Sequence, residues 1–545
     1  MKSLKDKIPY FFTAVCTVIY VSLVFNNNLW LDEAFSAAII RCGFKEMMIR
    51  TANDTLPPFY NLAAWCFTRV FGYSSVTLKL FSVLPMVLLM LISAYCLTRC
   101  FSVFTSSAYI MLITAMPYML EHGVEIRMYS WALFFASASA IFAICVMRDM
   151  KHAEIWLIIC TVLGAYTHQY TLITEVYVWL MLLVYCIRNK AVLRWIKYAV
   201  LCIVLYIPCA VLTLFQMSRA VTYFSATGPS PGALFSSLRY PFVTHYTEVS
   251  ALLLLCVAIL FAAAVLMREY TGAFYMIIYV CITVMSFFVM KVTDSSFFSS
   301  RYLMPAIGIM WLGAAVAAGG INLRAGQAEA SSGGKEVKAG FIRYMIPILG
   351  AAVILASLVI CYRQQYLEEY VDDTAFEEFI ASTGENDGYV IYEDFPEIQV
   401  CLEYYAPWLK AYTPDEINGV SGSKYVFISG SADIEKITAK EIIMESRGGS
   451  IDSIKCGRLK IFHEEIHEVG SAIISRIFGG KSTHNNSRVR IENIDAKTVH
   501  LENCAVAEVK CKDAFIGANC VIDKLNISGE CKVADGSTVG ETIHT

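Results

Sequence analysis

Asp32 and Glu33 stand side by side in Leu29-Trp30-Leu31-Asp32-Glu33-Ala34-Phe35-Ser36, directly behind the first long apolar run of the chain. A further carboxylate, Asp54, precedes Pro57, Pro58 and Tyr60, with Arg41, Lys45 and Arg50 in between. Three more clusters mix charge with aromatic rings: Glu125-Ile-Arg127-Met-Tyr129, Tyr166-Thr-His168-Gln-Tyr170, and Arg301-Tyr302 with Pro305. A water-exposed carboxylate is ionised at neutral pH and accepts a proton from a hydroxyl poised to attack. Two guanidinium groups grip a phosphate through paired charge-assisted hydrogen bonds. Tyrosine offers an apolar ring on one side and a hydroxyl on the other. Together these are the groups needed to move a substituent from a lipid phosphate to a hydroxyl, with Arg127 and Arg301 balancing the negative charge that grows on the leaving phosphate.

The elements that must position these groups are membrane spans. The chain is 57% hydrophobic and 16% charged, against about 45–50% and about 25% for ordinary soluble domains, and its mean hydropathy is +0.55. Runs long enough to cross a bilayer fall near 8–25, 76–98, 104–120, 128–147, 155–173, 174–187, 199–215, 249–267, 273–290, 303–320 and 344–361. A polar hinge around His168–Thr171 divides the pair within 155–187. The first run has no small-x-small cleavage site and reads as an uncleaved span. Alternate connections hold Lys2, Lys5 and Lys7; Arg99; Arg148 and Lys151; Arg188, Lys190, Arg194 and Lys197; Arg268; and Arg324, Lys335, Lys338 and Arg343. Positive residues mark the cytoplasmic side, so the four polar clusters share the outer face, and an odd number of spans carries everything after Tyr362 there too.

Past Tyr362 the chain reads as soluble. Asp373–Ala381 and Glu397–Tyr405 have helical spacing, while Gly388–Tyr392, Lys424–Ser429 and Arg458–Phe462 read as strands, giving a small α/β domain over 363–470. From 485 to 545 single Val, Ile or Leu residues recur between Gly, Asn, Asp and Lys, a short period that suits a narrow β-solenoid burying one apolar residue per coil. This tail resembles bactofilin-type solenoids. Irregular β structure is the plainer reading.

Each polar cluster also has a plainer reading: a solvated acidic loop, arginines anchoring topology, a hydrogen-bonded structural histidine, an aromatic belt. Their joint placement on one face is what favours a site. His463-Glu-Glu-Ile-His467 fits the HExxH pattern of zinc proteases, but no third ligand is evident and Arg458–Phe462 leads into it as a strand. Most of the 19 cysteines lie in apolar runs, and no CxxC pair occurs, which supports neither a zinc knuckle nor a thioredoxin-type site.

In order along residues 8–362, LWLDEAFS, D-x-x-P-P-x-Y, E-x-R-x-Y, T-H-Q-Y and R-Y-L-x-P resemble the GT-C membrane glycosyltransferases, most closely the bacterial relatives of protein O-mannosyltransferases and aminoarabinose transferases. The resemblance implies a polytopic α-helical GT-C-like membrane protein of about eleven spans, over residues 1–362. It also implies a polyprenyl-phosphate-linked sugar as donor, inversion at the anomeric carbon, and Asp32 as general base. Glu33 would orient the acceptor or its own segment. Asp54, Pro57, Tyr60, Arg127, Tyr129, His168, Tyr170, Arg301 and Tyr302 would form the substrate site. Relatives carry a His before Pro-Pro where this chain has Leu56, so no metal ligand is assigned, and a divalent metal stays open as cofactor. The expected setting is a bacterial plasma membrane, with the bilayer, the lipid-linked donor and a glycan, lipid or protein acceptor as partners, and no nucleic acid. The rival to hexosyl or pentosyl transfer is a transporter or flippase of lipid-linked sugars, for which repeated, interrupted spans would be the sign.

Overall fold

The computed structural model describes residues 4–25, 29–220, 230–293, 298–331, 337–368, 389–392, 404–405, 408, 410–412, 419–428, 432–445, 448–462 and 488–544. The expected helices at 373–381 and, for the most part, 397–405, and the HExxH segment at 463–467, lie outside the described residues. The chain divides into two compact units: Met1–Asn27 with Ile39–Tyr370, and Asn28–Ala38 with Val371–Thr545.

A helix stands at each of the eleven apolar runs. In chain order the helices are α1 (Ile8–Ser22), α2 (Leu31–Arg41), α3 (Phe44–Asn53), α4 (Phe59–Phe71), α5 (Ser75–Cys100), α6 (Val103–Ala115), α7 (Met119–Val124) and α8 (Tyr129–Met147). They continue as α9 (Ala153–Ala165), α10 (Gln169–Arg188), α11 (Val192–Ala220), α12 (Pro231–Arg239), α13 (Thr247–Leu266), α14 (Tyr270–Thr293), α15 (Met304–Ser331) and α16 (Val337–Arg363). Among the described residues, seven are long and apolar enough to cross a membrane, and α6 and α9 are shorter apolar helices. The protein is a polytopic helical membrane protein. Serine side chains start several helices, Ser74 accepting from Thr77 N–H and Ser102 from Thr105 N–H, which satisfies donors a helix start leaves open.

Helices α8 and α15 form the centre, 94% and 83% buried over their most apolar windows, whereas α11 and α13 are 17% and 11% buried and present their apolar surface to lipid. Small residues let the centre close up. A side chain at Gly313 would strike the backbone of Tyr275 and Met276 on α14, and one at Gly308 would strike Ser137 and Leu133 of α8.

Two expectations are corrected. The break within 155–187 falls at Tyr166–His168, not at 173/174, because the His168 side chain caps α10 by accepting the Tyr170 N–H. The stretch from Leu29 to Tyr60, read as a polar loop, is largely helical. Asp32 and Glu33 occupy the first turn of α2 and Arg41 the last, which complements the helix dipole; Glu33 accepts the Trp30 N–H at 3.3 Å, half of a capping box.

The second unit carries one parallel sheet of β1 (Tyr389–Tyr392), β2 (Lys410–Tyr412), β3 (Gly419–Ile428), β4 (Ala432–Glu445), β5 (Gly449–Phe462), β6 (Val489–Leu501), β7 (Cys504–Ile516), β8 (Val521–Ile527), β9 (Cys531–Val533) and β10 (Thr538–His544). It is a β-solenoid. Ile434, Ile451, Ile491, Val506, Ile522 and Val539 lie in register from coil to coil. Ile437, Ile454, Ile494, Val509 and Leu525 form a second buried column, and Val426, Ile442, Leu459, Val499 and Ala514 a third. Each coil therefore buries several apolar residues, not one. The columns run without interruption from β4 and β5 into the tail.

Candidate active site

Within the first unit, the ends of three helices bring together most of the expected substrate residues. Tyr129 opens α8, and Arg127 precedes it in a tight turn in which its N–H meets the Glu125 carbonyl at 2.7 Å. His168 precedes α10 and Tyr170 lies in its first turn. Arg301 and Tyr302 form a single 3₁₀ turn (Ser300–Leu303) ahead of α15. The rings meet: His168 to Tyr302 at 5.2 Å, His168 to Tyr129 at 6.2 Å, Tyr170 to Tyr302 at 5.9 Å and Tyr129 to Tyr302 at 6.5 Å between centroids. The Arg301 guanidinium carbon stands 5.8 Å from the Tyr129 ring centroid.

The hydrogen-bond inventory gives this cluster its chemistry. Because His168 Nδ1 accepts the Tyr170 N–H at 3.1 Å, the neutral ring carries its proton on Nε2. Burial, reinforced by the Arg127 and Arg301 charges, pushes the His168 pKa down to about 3, so the ring stays neutral. His168 is 2% exposed and Tyr129 1%, yet among the described residues neither His168 Nε2 nor the Tyr129 hydroxyl has a hydrogen-bond partner. An unsatisfied buried donor costs about 1–3 kcal/mol. Two of them lie in one cluster, within the field of two guanidinium groups, an arrangement that can bind an anion.

The 54–60 segment lies against the turn that carries His168. The Phe59 N–H donates to the Tyr166 carbonyl at 3.0 Å and Gln169 Nε2 to the Thr55 carbonyl at 2.8 Å. Asp54 ends α3 and accepts the Thr55 N–H at 2.6 Å, and Pro57 is buried. Tyr60 is 4% exposed, its hydroxyl meets Ser82 Oγ at 3.1 Å, and its ring packs on Phe81. Asp32 and Glu33 belong to the second unit, where Asp32 lies in the first turn of α2 and the Tyr405 hydroxyl donates to the Leu29 carbonyl at 2.7 Å.

The sequence reading missed His122. It is buried, with Nδ1 2.6 Å from Glu125 Oε2 and Nε2 2.8 Å from the Tyr240 hydroxyl, and its ring lies 5.2 Å from that of Tyr129. Burial lowers its pKa, but Glu121 and then Glu125 outweigh burial and the net shift is upward. The one sequence signal was the His-x-x-Glu spacing of a single helical turn. Gly123 permits this turn, since a Cβ there would collide with the Tyr20 ring, and the Tyr20 hydroxyl fastens α1 to the carbonyls of Ile113 and Met119. Among the described residues no group of three or more His, Cys, Asp or Glu side chains is gathered to hold a metal.

No family model matches the sequence, and no curated protein matches it. Three solved structures are similar to the chain at low identity. ArnT from Cupriavidus metallidurans bound to undecaprenyl phosphate is 15% identical over 74% of this chain and 85% of that one, with a TM-score of 0.49. The Archaeoglobus fulgidus oligosaccharyltransferase in complex with Zn and sulfate is 10% identical over 74% and 62%, with a TM-score of 0.43. The Saccharomyces cerevisiae protein O-mannosyltransferase Pmt1–Pmt2 complex, bound to its sugar donor, is 15% identical over 43% and 36%, with a TM-score of 0.32.

Proposed function

We propose that this protein is a membrane glycosyltransferase that moves a hexosyl or pentosyl group from a polyprenyl-phosphate-linked donor to an acceptor hydroxyl, with inversion. The observation that carries this reading is the pair of buried, unpartnered donors, His168 Nε2–H and Tyr129 O–H, in a cluster that includes Arg301 and feels the charge of Arg127. The donor phosphate lies there, Tyr170 and Tyr302 flank it, and the guanidinium groups take up the charge left on it as the glycosidic bond breaks. Asp32 removes the proton of the attacking hydroxyl, a role that rests on its place in the sequence motif. Glu33 holds the first turn of α2, and Asp54 and Pro57 hold the segment beside His168. Eleven crossings from a cytoplasmic N-terminus place the site and the regions 363–470 and 485–545 on the outer face of a plasma membrane.

The test is to incubate the purified protein with a panel of polyprenyl-phosphate sugars and detect release of polyprenyl phosphate. Asp32→Asn should lower release by about 10²–10⁴-fold, the range for a positioned base, with donor binding kept. Wild-type turnover in that variant would remove Asp32 from the mechanism. Binding of a sugar lipid by the wild type with no release for any member of the panel would favour a flippase.

A further inference from the structure

A cavity of about 150 Å³ opens beside α7 and is lined by Tyr118, Glu121, Thr244, His245, Gln364 and Gln365 among others. It is separate from the His168 cluster but feels the same arginine, because Arg301 acts electrostatically on both Glu121 and His168. One wall is built with unusual care. Tyr118 adopts a left-handed backbone with φ 64°, uncommon for a bulky residue and typical of functional sites. That conformation lays its ring flat on Tyr240, with centroids 4.0 Å apart and planes 10° from parallel. Tyr240 is fixed in turn by His122 Nε2, and His122 by Glu125. Opposite, Gln364 and Gln365 open a short π-helical turn at the end of α16, and such turns recur at functional sites.

The lining selects a ligand class. A carboxylate offers only acceptors, while two amides offer donors and acceptors; hydroxyl groups, which do both, match this set. An anion would meet Glu121, and a single lining carboxylate gives too few ligands for a metal ion, so a hydroxyl-bearing ligand is favoured. The volume is well below the roughly 300–1,000 Å³ of pockets for drug-sized ligands, enough for one small ring and too little for a lipid chain. We propose that this cavity is a saccharide subsite in which Glu121, Gln364 and Gln365 bind the hydroxyls of a single sugar ring. The inference deepens the glycosyltransferase reading and rests on it for the identity of the phosphate site next door.

The sugar has two sources, donor and acceptor, and three probes separate them: undecaprenyl phosphate, the same lipid carrying a hexose or pentose, and a panel of free monosaccharides followed by saturation-transfer NMR. Each is titrated against the full chain in nanodiscs, as wild type, Glu121→Gln and Gln365→Ala. Gln365 is half-buried at a helix end, so its variant reports on the cavity even where a Glu121 variant folds poorly. Affinity for undecaprenyl phosphate should stay within about twofold. A donor-sugar subsite loses about tenfold in affinity for the sugar-bearing lipid, the scale of one charge-assisted hydrogen bond. An acceptor subsite instead loses the free-monosaccharide signal with sugar-lipid affinity unchanged. If none of the three probes responds, or if both lipids weaken alike, the subsite is refuted. Wild-type protein that ignores undecaprenyl phosphate yet binds a monosaccharide in a Glu121-dependent way would refute the phosphate site and keep this one.

Discussion

The coil stack and the helix-end cluster handle buried polar groups in opposite ways. Among the described residues of the coils, no buried side-chain nitrogen or oxygen lacks a partner, whereas His168 Nε2 and the Tyr129 hydroxyl both do. The coils bury columns of Ile, Val and Leu in register, and repetition makes each coil the template for the next. The cluster leaves donors open in a buried place, which stability alone does not reward. The contrast separates a region whose buried polar groups are paired from one in which two buried donors are not.

Substitutions of similar size should therefore act differently in the two regions. Leu459→Ala, in the middle of a buried column, should cost the coils about 2–5 kcal/mol, read as faster hydrogen exchange through β4–β6, with phosphate binding unaffected. His168→Phe removes an unsatisfied donor but also the cap on the Tyr170 N–H, so helical stability should fall by no more than about 1 kcal/mol while phosphate binding still weakens. Equal stability losses at both positions would erase the distinction.

Much of this contrast was legible in the sequence, and where it was not the reasons are physical. A bilayer demands long apolar runs, so each of the eleven runs is a helix. The α9–α10 break was misplaced by a few residues because its cap is a histidine, whose capping role depends on tautomer and not on residue type. Helices α2 and α3 were hidden because 10 or 11 residues with mixed charge give too short a period to stand out from a loop. Arg127, Tyr129, His168, Tyr170, Arg301 and Tyr302 were found from residue type and predicted side of the membrane. His122 was not, since its partner Tyr240 lies 118 residues away. In the coils only the sparse tail pattern was visible; the columns emerge once β4 and β5 are aligned with it.

The two histidines of the helical unit extend the comparison to pH. The His168 pKa lies below the ordinary 6.5, near 3, so its neutral form supports the fold fully above about pH 6.5, and that support is lost as pH falls towards 3. The His122 pKa is raised by its two glutamates, so its support is complete below about pH 6.5 and is lost as pH rises through the raised value. Thermal midpoints against pH should show His168→Gln flattening the acid limb and His122→Gln the alkaline limb. Unchanged slopes would contradict both assignments. A smaller effect, on labelling alone, concerns the side of the membrane: Lys532→Cys, exposed on β9, should react with an impermeant thiol reagent in intact cells. Reaction only after permeabilisation would place the coils in the cytoplasm and remove them from any encounter with an outer acceptor.

The account depends most on the anion cradle at the helix ends, and titration of polyprenyl phosphate against the purified protein tests it most directly. Wild type should bind. Arg127→Ala and Arg301→Ala should each weaken binding by about tenfold or more, and lysine at either position should recover little, because an ammonium group does not reproduce the two-pronged guanidinium contact. Wild-type affinity in both alanine variants would mark these arginines as topology anchors and contradict the phosphate site.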